Sequence, residues 1–410
     1  MTRQAKASLN FNGKNVDTTL AQYLQSVTYK DVAAGSSDEI KIELQNIDMK
    51  WTGAWFPVKG DNITDKLVFK SWNSEGQDLT LDVGKHILDD IQMRGGPMEA
   101  SFGGLAIPAS ESFKSQTRTK TWKNTYIKKL ASTICRRYKL KLIYDAKTCK
   151  IKTLEQSEKA DSAFLYDLTK KYGFGMKVFG GKIVIYDKGR YEAKSPVATL
   201  TRKSFIGDSW SYKDTLDGSY TGAKISYKIK SSKKKTTKKK APVRPMAMAA
   251  PDPAPILTAA MAAPIMRAKK KTKKKKVTTK TLFVGFKKEN SPGSRTYKVS
   301  EQADNAAEAR LIAAAKVNEA NEQITTLSGD IWPNPTIVAA ATVKVSGMGK
   351  IDGKYFVDSS TTSISGSGGA SQHIEMHKCQ KRIASTVTAS TKKSTSKKKT
   401  TKKKKTTKKK

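Results

Sequence analysis

The residues with the most potential for chemistry lie near the C-terminal end, in the run His373-Ile-Glu-Met-His-Lys-Cys379. On a β-strand, alternate residues share a face, so His373, Glu375, His377 and Cys379 would project from one side. Imidazole, carboxylate and thiolate groups are zinc ligands, and side chains at i and i+2 could chelate one ion. Alternating polar residues are also typical of the solvent-exposed face of a terminal strand. We predict that ordinary arrangement, without a metal site.

Catalytic motifs do not occur in the sequence. It has no Gly-x-Ser-x-Gly elbow, no phosphate-binding Gly-x-x-x-x-Gly-Lys-[Ser/Thr] loop and no His-Glu-x-x-His motif. We therefore predict that the chain is not an enzyme, has no catalytic residues and uses no cofactor. The sequence also lacks a catalytic constellation for a cell-wall hydrolase, the alternative enzyme class.

Charge is the strongest compositional feature of this 410-residue chain, which has 78 Lys+Arg, 36 Asp+Glu and a formal net charge of +42. Residues 233–276 contain 15 basic side chains and one acidic, and residues 392–410 contain 12 and none. The rest of the chain, with 51 basic and 35 acidic residues, is moderately basic. The excess charge therefore belongs mainly to two segments, here called the lysine tracts.

Lysine tracts attract polyanions through counterion release, but these contain no interleaved aromatic residues for base stacking. A solubilising role without a specific partner explains them as well as polyanion binding does. Among polyanions we favour nucleic acid over acidic proteins and anionic cell-surface polymers. The candidate polyanion-binding residues are Lys233, Lys234, Lys235, Lys238, Lys239, Lys240, Lys273, Lys274, Lys275, Lys276, Lys402, Lys403, Lys404 and Lys405.

Residues 1–110 have the short alternating runs of a β-rich domain. Asn12-Gly13, a strong two-residue hairpin signal, follows one such run, and Ile40, Ile42 and Leu44 alternate with charged residues. Alternation of this kind indicates strands with one buried face, as in a barrel or a sandwich.

Glycine and aromatic residues in this region could be mistaken for ligand contacts. We predict that the glycines of Gly95-Gly96-Pro97 and Gly103-Gly104 provide unusual backbone angles at turns. Trp51, Trp55 and Phe56 either close one end of the β domain or form a binding surface.

Residues 120–190 are predicted to form a small α/β module after a Ser/Thr/Lys-rich joint at 110–120. The hydrophobic period changes there from two to about 3.6, which predicts a helix that Thr121 could cap. Its apolar stripe consists of Trp122, Tyr126, Leu130, Ile134 and Tyr138. A strand at 140–144, a helix from Asp161 to Gly173 and a hairpin around Gly180-Gly181 follow.

A second β region is predicted at 195–230 and 282–381, interrupted by a disordered insertion at 231–281 and followed by a disordered tail at 382–410. It includes an Ala-rich helix at 304–318. The insertion contains an Ala/Pro/Met stretch, for which we considered a membrane span at 245–266. Five prolines and the flanking lysines favour a solvated segment instead.

Several of these motifs, in this order and spacing, resemble the late control gene D family of phage tail-hub proteins. They are the strand and turn at 81–97, the joint at 110–122, the module segments at 134–145 and 156–187, the helix at 309–318 and the Gly/Asp-Gly-Lys-Tyr hairpin at 343–357. The residues of the two turn motifs are Gly95, Gly96, Pro97, Gly347, Gly349, Asp352, Gly353 and Tyr355.

The resemblance implies an α+β fold that is mainly β, in which two β-barrel tube domains flank the α/β module. It also implies a structural hub of a contractile-tail baseplate in a virion or phage-tail-like particle, assembled in the cytoplasm of a bacterial host. Three chains would form a ring between a hexameric tail tube and a trimeric spike. The implied partners are tube, spike, wedge and tape-measure proteins, with DNA or an anionic cell-surface polymer as a further candidate. A nucleic-acid-binding protein that acts through the lysine tracts is the alternative.

Overall fold

The structure, a computed structural model, describes residues 3–96, 98–106, 113–230, 277–288 and 290–384. This part of the chain is mainly β, as the sequence predicts, with strands in four sheets. Within the described ranges, every helix is too short or too polar to cross a lipid bilayer.

The first β region carries the predicted alternation into strands with one buried face. Asn12-Gly13 joins β1 to β2 in a tight hairpin, and β4 buries Ile40, Ile42 and Leu44 in the core of this region. Its elements are β1 (Gln4–Phe11), β2 (Lys14–Asn15), α1 (Asp17–Leu20), β3 (Leu24–Val32), β4 (Glu39–Gln45), β5 (Asn62–Lys70), β6 (Leu79–Gly95) and β7 (Met98–Leu105).

The loop between β4 and β5 divides the three aromatic residues whose role the sequence left open. Trp51 packs edge-on against Phe102 in the core, whereas 52% of Phe56 is exposed. Trp55 lies between them in burial and contacts Trp51 and Tyr23. The loop therefore closes over the core with one side and presents apolar atoms to solvent with the other.

The middle module contains the predicted second helix and hairpin, but the prediction for its first helix was partly wrong. Trp122 and Tyr126 lie in β8, and α2 begins at Ile127. The prediction failed there because Trp122 and Tyr126, four residues apart, match the spacing of a helical stripe, although Trp122 is buried and Tyr126 is exposed in the strand. The elements are β8 (Thr117–Tyr126), α2 (Ile127–Arg137), β9 (Lys141–Asp145), β10 (Lys150–Ala160), α3 (Asp161–Lys171), β11 (Phe174–Phe179), β12 (Lys182–Asp187) and α4 (Lys188–Glu192).

The remaining elements follow the order strand, helix, strand that the sequence predicts for the second β region. They are β13 (Ala198–Leu200), β14 (Ser211–Asp214), β15 (Gly222–Lys230), β16 (Val277–Gly285), β17 (Thr296–Ala303), α5 (Ala306–Glu322), β18 (Thr325–Ile331), β19 (Thr342–Val345), β20 (Gly353–Ser365) and β21 (Ala370–Lys378).

One 13-stranded sheet contains strands from both β regions. Its main path runs β14-β18-β21-β20-β3-β4-β7-β6-β5-β1-β2, with β19 paired to β20 and β13 paired to β19. The connection between the regions is the antiparallel pair of β20 and β3, from Ser359 opposite Val32 to Ser365 opposite Ser26. Backbone hydrogen bonds thus join segments more than 300 residues apart in the chain.

The strands β15, β16 and β17 form a sheet of their own, which packs with α5 against the middle module. Ala223, Ile225 and Ile312 share one hydrophobic core with Ile134 of α2 and Leu165 of α3. The core of the other late strands, around Val343, Tyr355 and Ile374, is separate. The sequence alone assigned β15 to β17 to the second β region, and its domain boundaries stay a prediction.

Both predicted disordered segments begin or end at different residues from those expected. Val277 to Gly285 pairs in full with β15, so the residues at 277–281 belong to a strand and not to the insertion. At the C-terminal side, Ile383 is buried and Arg382 forms ion pairs, so the described residues 382–384 are packed. The prediction missed them because one apolar residue among Lys, Ser and Thr has no periodic pattern.

Candidate functional site

Two buried ionic clusters lie where the β regions meet the middle module. The first is built around Lys177 of β11, which forms ion pairs with Asp31 of β3 and, at 3.3 Å, with Asp38. Asp31 also accepts a hydrogen bond of 2.9 Å from the backbone N–H of Ala339, in the loop before β19. Lys177 thereby joins the first β region to the middle module, and Asp31 joins the first β region to the second β region.

Asp38 is held in this cluster by groups of the first β region. Its carboxylate accepts hydrogen bonds from the Tyr29 hydroxyl at 3.2 Å and the Val32 N–H at 3.1 Å. Burial raises the pKa of Asp38 to about 7, although Lys177 acts in the opposite direction. Burial also raises the pKa of Tyr29, which stays a hydrogen-bond donor.

The second cluster, here called the His377 cluster, joins β20, β21, α4, α5 and the C-terminal segment. His377 Nδ1 lies 2.8 Å from Asp358, and its Nε2 lies 3.2 Å from Glu192. Arg382 Nε donates to Glu192 at 2.7 Å, and its Nη2 donates to Glu322 at 2.6 Å. Lys188 completes the cluster with a hydrogen bond of 2.8 Å to Glu322.

Each charge in the His377 cluster favours the charged form of its neighbour. Burial lowers the pKa of His377, but the hydrogen bonds to Asp358 and Glu192 outweigh it and raise the pKa to about 9. Burial raises the pKa of Glu192, whereas Arg382 and His377 lower it more, to about 2. His377 and Glu192 are therefore both ionised at neutral pH, and the cluster fixes the relative position of five elements.

The run His373–Cys379 does not bring its polar side chains onto one shared target. His373 Nδ1 lies 2.7 Å from Asp330, Glu375 accepts from Ser359 at 2.7 Å, and His377 belongs to the cluster above. In the described ranges, no three His, Cys, Asp or Glu side chains are placed to hold a metal ion. These polar groups form cross-strand pairs instead.

The late turn motif, predicted from the sequence to be structural, comes together in the β19–β20 connection. Asp352 accepts hydrogen bonds from the N–H groups of Gly347 at 3.1 Å and Met348 at 2.6 Å. Gly347 and Gly349 have φ values of +79° and +67°, which favour glycine. The hydroxyl of Tyr355 donates to the Ile351 carbonyl at 2.6 Å and ties the loop to the buried end of β20.

The early glycines differ from the expectation that they supply unusual backbone angles. Gly95 is the last residue of β6 and pairs with Met98, Gly96 lies in the turn, and Pro97 lies outside the described residues. Neither glycine has a positive φ. Gly103 and Gly104 lie within β7, and a Cβ on Gly104 would come within 2.9 Å of the Ile40 side chain. Gly104 therefore allows close packing in the core.

The candidate polyanion-binding residues of both lysine tracts lie outside the described residues, so their role stays a prediction. Sequence reasoning also missed the two clusters. Lys177 has only its place between apolar Met176 and Val178 as a signal, and Asp31 lies 146 residues away. Partners this distant cannot be found from one sequence, because no local period connects them.

Comparison with solved structures shows that the chain shares its fold with two tail proteins. It matches the prophage MuSo2 43 kDa tail protein from Shewanella oneidensis with a TM-score of 0.58 and 12% identity, over 92% of this chain and 98% of that one. The tail protein from Neisseria meningitidis MC58 matches with a TM-score of 0.57 and 12% identity, over 92% and 97%. At these identities the likeness concerns the fold.

Sequence comparison adds two curated relatives, both named as probable baseplate hub proteins. The protein of Escherichia phage 186 is 28% identical over 244 residues, which are 57% of this chain and 60% of the relative. The protein of Escherichia phage P2 is 25% identical over 220 residues, 52% of this chain and 54% of the relative. The match thus spans little more than half of each relative, and no family model matches the chain. The resemblance to phage baseplate hub proteins is thereby confirmed.

Proposed function

We propose that this chain is the structural, non-enzymatic hub of a contractile-tail baseplate. The observation that carries the proposal is the β3–β20 pair, because it joins the two β regions side by side in one sheet. Both curated relatives are named for the same role, and the fold is that of two solved tail proteins. A scaffold needs parts that keep their relative position under load, and the continuous sheet and the two buried ionic clusters provide this.

The two β regions are proposed to be barrel-shaped tube domains. In the first region the sheet path ends with β1 and β2, far along the path from β20. The N–H of Ala5 in β1 nevertheless donates a 3.0 Å hydrogen bond to the Gly368 carbonyl, in the turn after β20. The N–H of Gly366 in the same turn donates to the Gln25 carbonyl of β3 at 2.8 Å. These contacts support closure of the sheet around its core.

Three such chains would present six β units around a ring. That arrangement offers pseudo-sixfold symmetry to a hexameric tail tube and threefold symmetry to a trimeric spike, and cyclic closure leaves no unsatisfied interface. We therefore infer a homotrimer whose partners are the tube and spike proteins, with wedge and tape-measure proteins as further contacts.

Electron microscopy and light scattering of the full chain, alone and with its tube and spike proteins, test this proposal. We expect a ring with threefold symmetry when both partners are present. The experiment uses concentrations at which the tube and spike proteins form their own oligomers. If the chain stays monomeric in the presence of both, the hub assignment is wrong.

The alternative function is polyanion binding through the lysine tracts, which the charge of 233–276 and 392–410 favours. A full-length variant with glutamine in place of every tract lysine separates the two functions. If the variant assembles normally but no longer binds DNA, the tracts are accessory to a hub. If it assembles normally but the particle loses all function, DNA binding through the tracts is the main role.

A further inference from the structure

The folded middle module has a concentration of positive charge that is independent of the lysine tracts. From Lys114 to Lys152 the sequence contains 13 basic residues and one acidic residue, Asp145. This stretch supplies most of the excess charge that remains outside the tracts. All of these basic residues except Arg118 are exposed. The module therefore presents its charge to solvent on an ordered scaffold.

Little of this charge is neutralised by neighbouring carboxylates. Asp145 is engaged by Arg190, and the buried Asp161 is engaged by Arg118 and Arg137. Five exposed lysines of this stretch have no carboxylate of the described residues within ion-pair distance. They are Lys123, Lys128, Lys129, Lys150 and Lys152. Their combined potential is thus available to an anionic partner.

An exposed aromatic ring lies among these lysines in the sequence and is paired across the sheet with one of them. Tyr126, at the end of β8, is 43% exposed and is the cross-strand partner of Lys150 in β10, so both side chains lie on one face. Lys152 follows on the same face by the alternation of the strand. Lys128 and Lys129, which are exposed, follow Tyr126 by two and three residues, in the first turn of α2. We call Tyr126 and these four lysines the Tyr126 cluster.

We propose that the Tyr126 cluster is a nucleic-acid-binding surface, in which the lysines contact phosphates and Tyr126 stacks on a base or packs on a sugar. Surfaces that bind single-stranded nucleic acid combine cations for its phosphates with aromatic side chains for its bases. An anionic membrane would also attract the lysines, but insertion needs several exposed large apolar residues. In the described part of the module, Tyr126 and Ile143 are the exposed large apolar residues. This activity goes beyond the proposed hub function and does not depend on it.

The test uses the full-length chain in which the tract lysines are replaced by glutamine, so that tract binding does not mask the cluster. Affinity for a short fluorescent single strand and the matching duplex is measured over a range of salt concentrations. The slope of log affinity against log salt is negative. We expect the triple variant K128Q/K129Q/K150Q to make it shallower by about two to three, at roughly 0.7–0.9 per phosphate contact. The control K14Q/K59Q/K66Q removes three exposed lysines of the first β region and should leave the slope unchanged.

Tyr126 gives a second, charge-independent readout. Tyr126→Ala should weaken binding of the single strand by about five- to tenfold or more, in the range of one lost stacking contact, and affect the duplex less. Tyr126→Phe, which keeps the ring, should bind as the parent does. Thermal unfolding of each variant verifies that the module is folded.

Three results would overturn the proposal. One is equal slopes for the cluster variant and its control, and another is an unchanged affinity of the folded Tyr126→Ala variant. The third is binding of anionic phospholipid vesicles or polyglutamate as tight as that of DNA, because the surface would then recognise charge alone. Ring assembly with tube and spike proteins is scored separately, so failure of this proposal leaves the hub proposal intact.

Discussion

Arg382 and His377 illustrate how single residues determine the stability of this scaffold. Arg382 lies four residues after the last strand and bridges Glu192 of the module to Glu322 of α5. His377 reaches Glu192 from the opposite side. Because these carboxylates are buried, each depends on its cationic neighbours to stay ionised at low cost.

Replacing Arg382 by alanine should destabilise the chain by about 3 kcal/mol, since it leaves two buried carboxylates with fewer cations. Urea-induced unfolding followed by tryptophan fluorescence measures the change. Lys381→Ala, at an exposed neighbouring position, is the matched control and should change the free energy of unfolding by less than about 0.5 kcal/mol. Equal effects of the two substitutions would contradict a role for the cluster.

The raised pKa of His377 should make stability depend on alkaline pH. Its pKa is about 9 in the folded chain and about 6.5 when unfolded, so the folded state retains the proton over that interval. The stabilisation is complete below about pH 6.5 and is lost as the pH rises through about 9. His377→Gln should flatten this part of the curve of unfolding midpoint against pH. An unchanged slope in the variant would mean that another group titrates.

At the scale of elements, local sequence signals worked where one turn or one period decides the structure. The hairpins at Asn12-Gly13 and Gly180-Gly181 and the helix from Asp161 were predicted correctly. The predicted start of α2 was wrong because Trp122 and Tyr126 of β8 have the spacing of a helical stripe. The β19–β20 connection belongs to the first group, since Asp352 organises it locally.

Asp352→Ala should therefore cost about 1 kcal/mol, because two loop N–H groups lose their acceptor. The loop N–H groups of Gly347 and Met348 should exchange with deuterium faster, while those of β21 stay protected. Lys350→Ala, in the same loop, is the control and should have no comparable effect. Uniformly faster exchange throughout the sheet would indicate that the loop is part of the global unfolding unit and not a local motif.

At the scale of the whole molecule, the first β region presents an apolar surface next to its core. Ile47, Phe56 and Val58, in the loop after β4, are 68%, 52% and 66% exposed. Clustered exposed apolar residues are typical of interaction sites. In a hub, such a loop is suited to contact a neighbouring chain or a tail partner.

The double variant F56D/V58D should weaken ring formation with tube and spike proteins at least about tenfold, the effect of 1.4 kcal/mol, with little change in the free energy of unfolding. Leu216→Asp, at another exposed apolar residue, is the control for general effects of added charge. Normal rings from the double variant would exclude the loop from the assembly interfaces.

Local signals in the sequence were enough to predict the alternating strands, the turn residues, the second helix of the module and the charge of the lysine tracts. The sequence also carried the family resemblance, because motif order along the chain survives without any knowledge of contacts. Gly104 shows where such signals fail. The pair Gly103-Gly104 predicted a turn, but Gly104 lies in a strand and packs against Ile40 of the neighbouring strand.

The tertiary structure alone decided which distant segments meet. The pairing of β20 with β3, the packing of β15 to β17 against the module, and the ion pairs of Lys177 and Arg382 join residues 60 to more than 300 positions apart. Such contacts depend on the complementarity of whole surfaces. A local period or motif does not indicate which distant residue will lie opposite it. The pairing of Tyr126 with Lys150 was likewise decided by the fold, because the two residues lie on neighbouring strands.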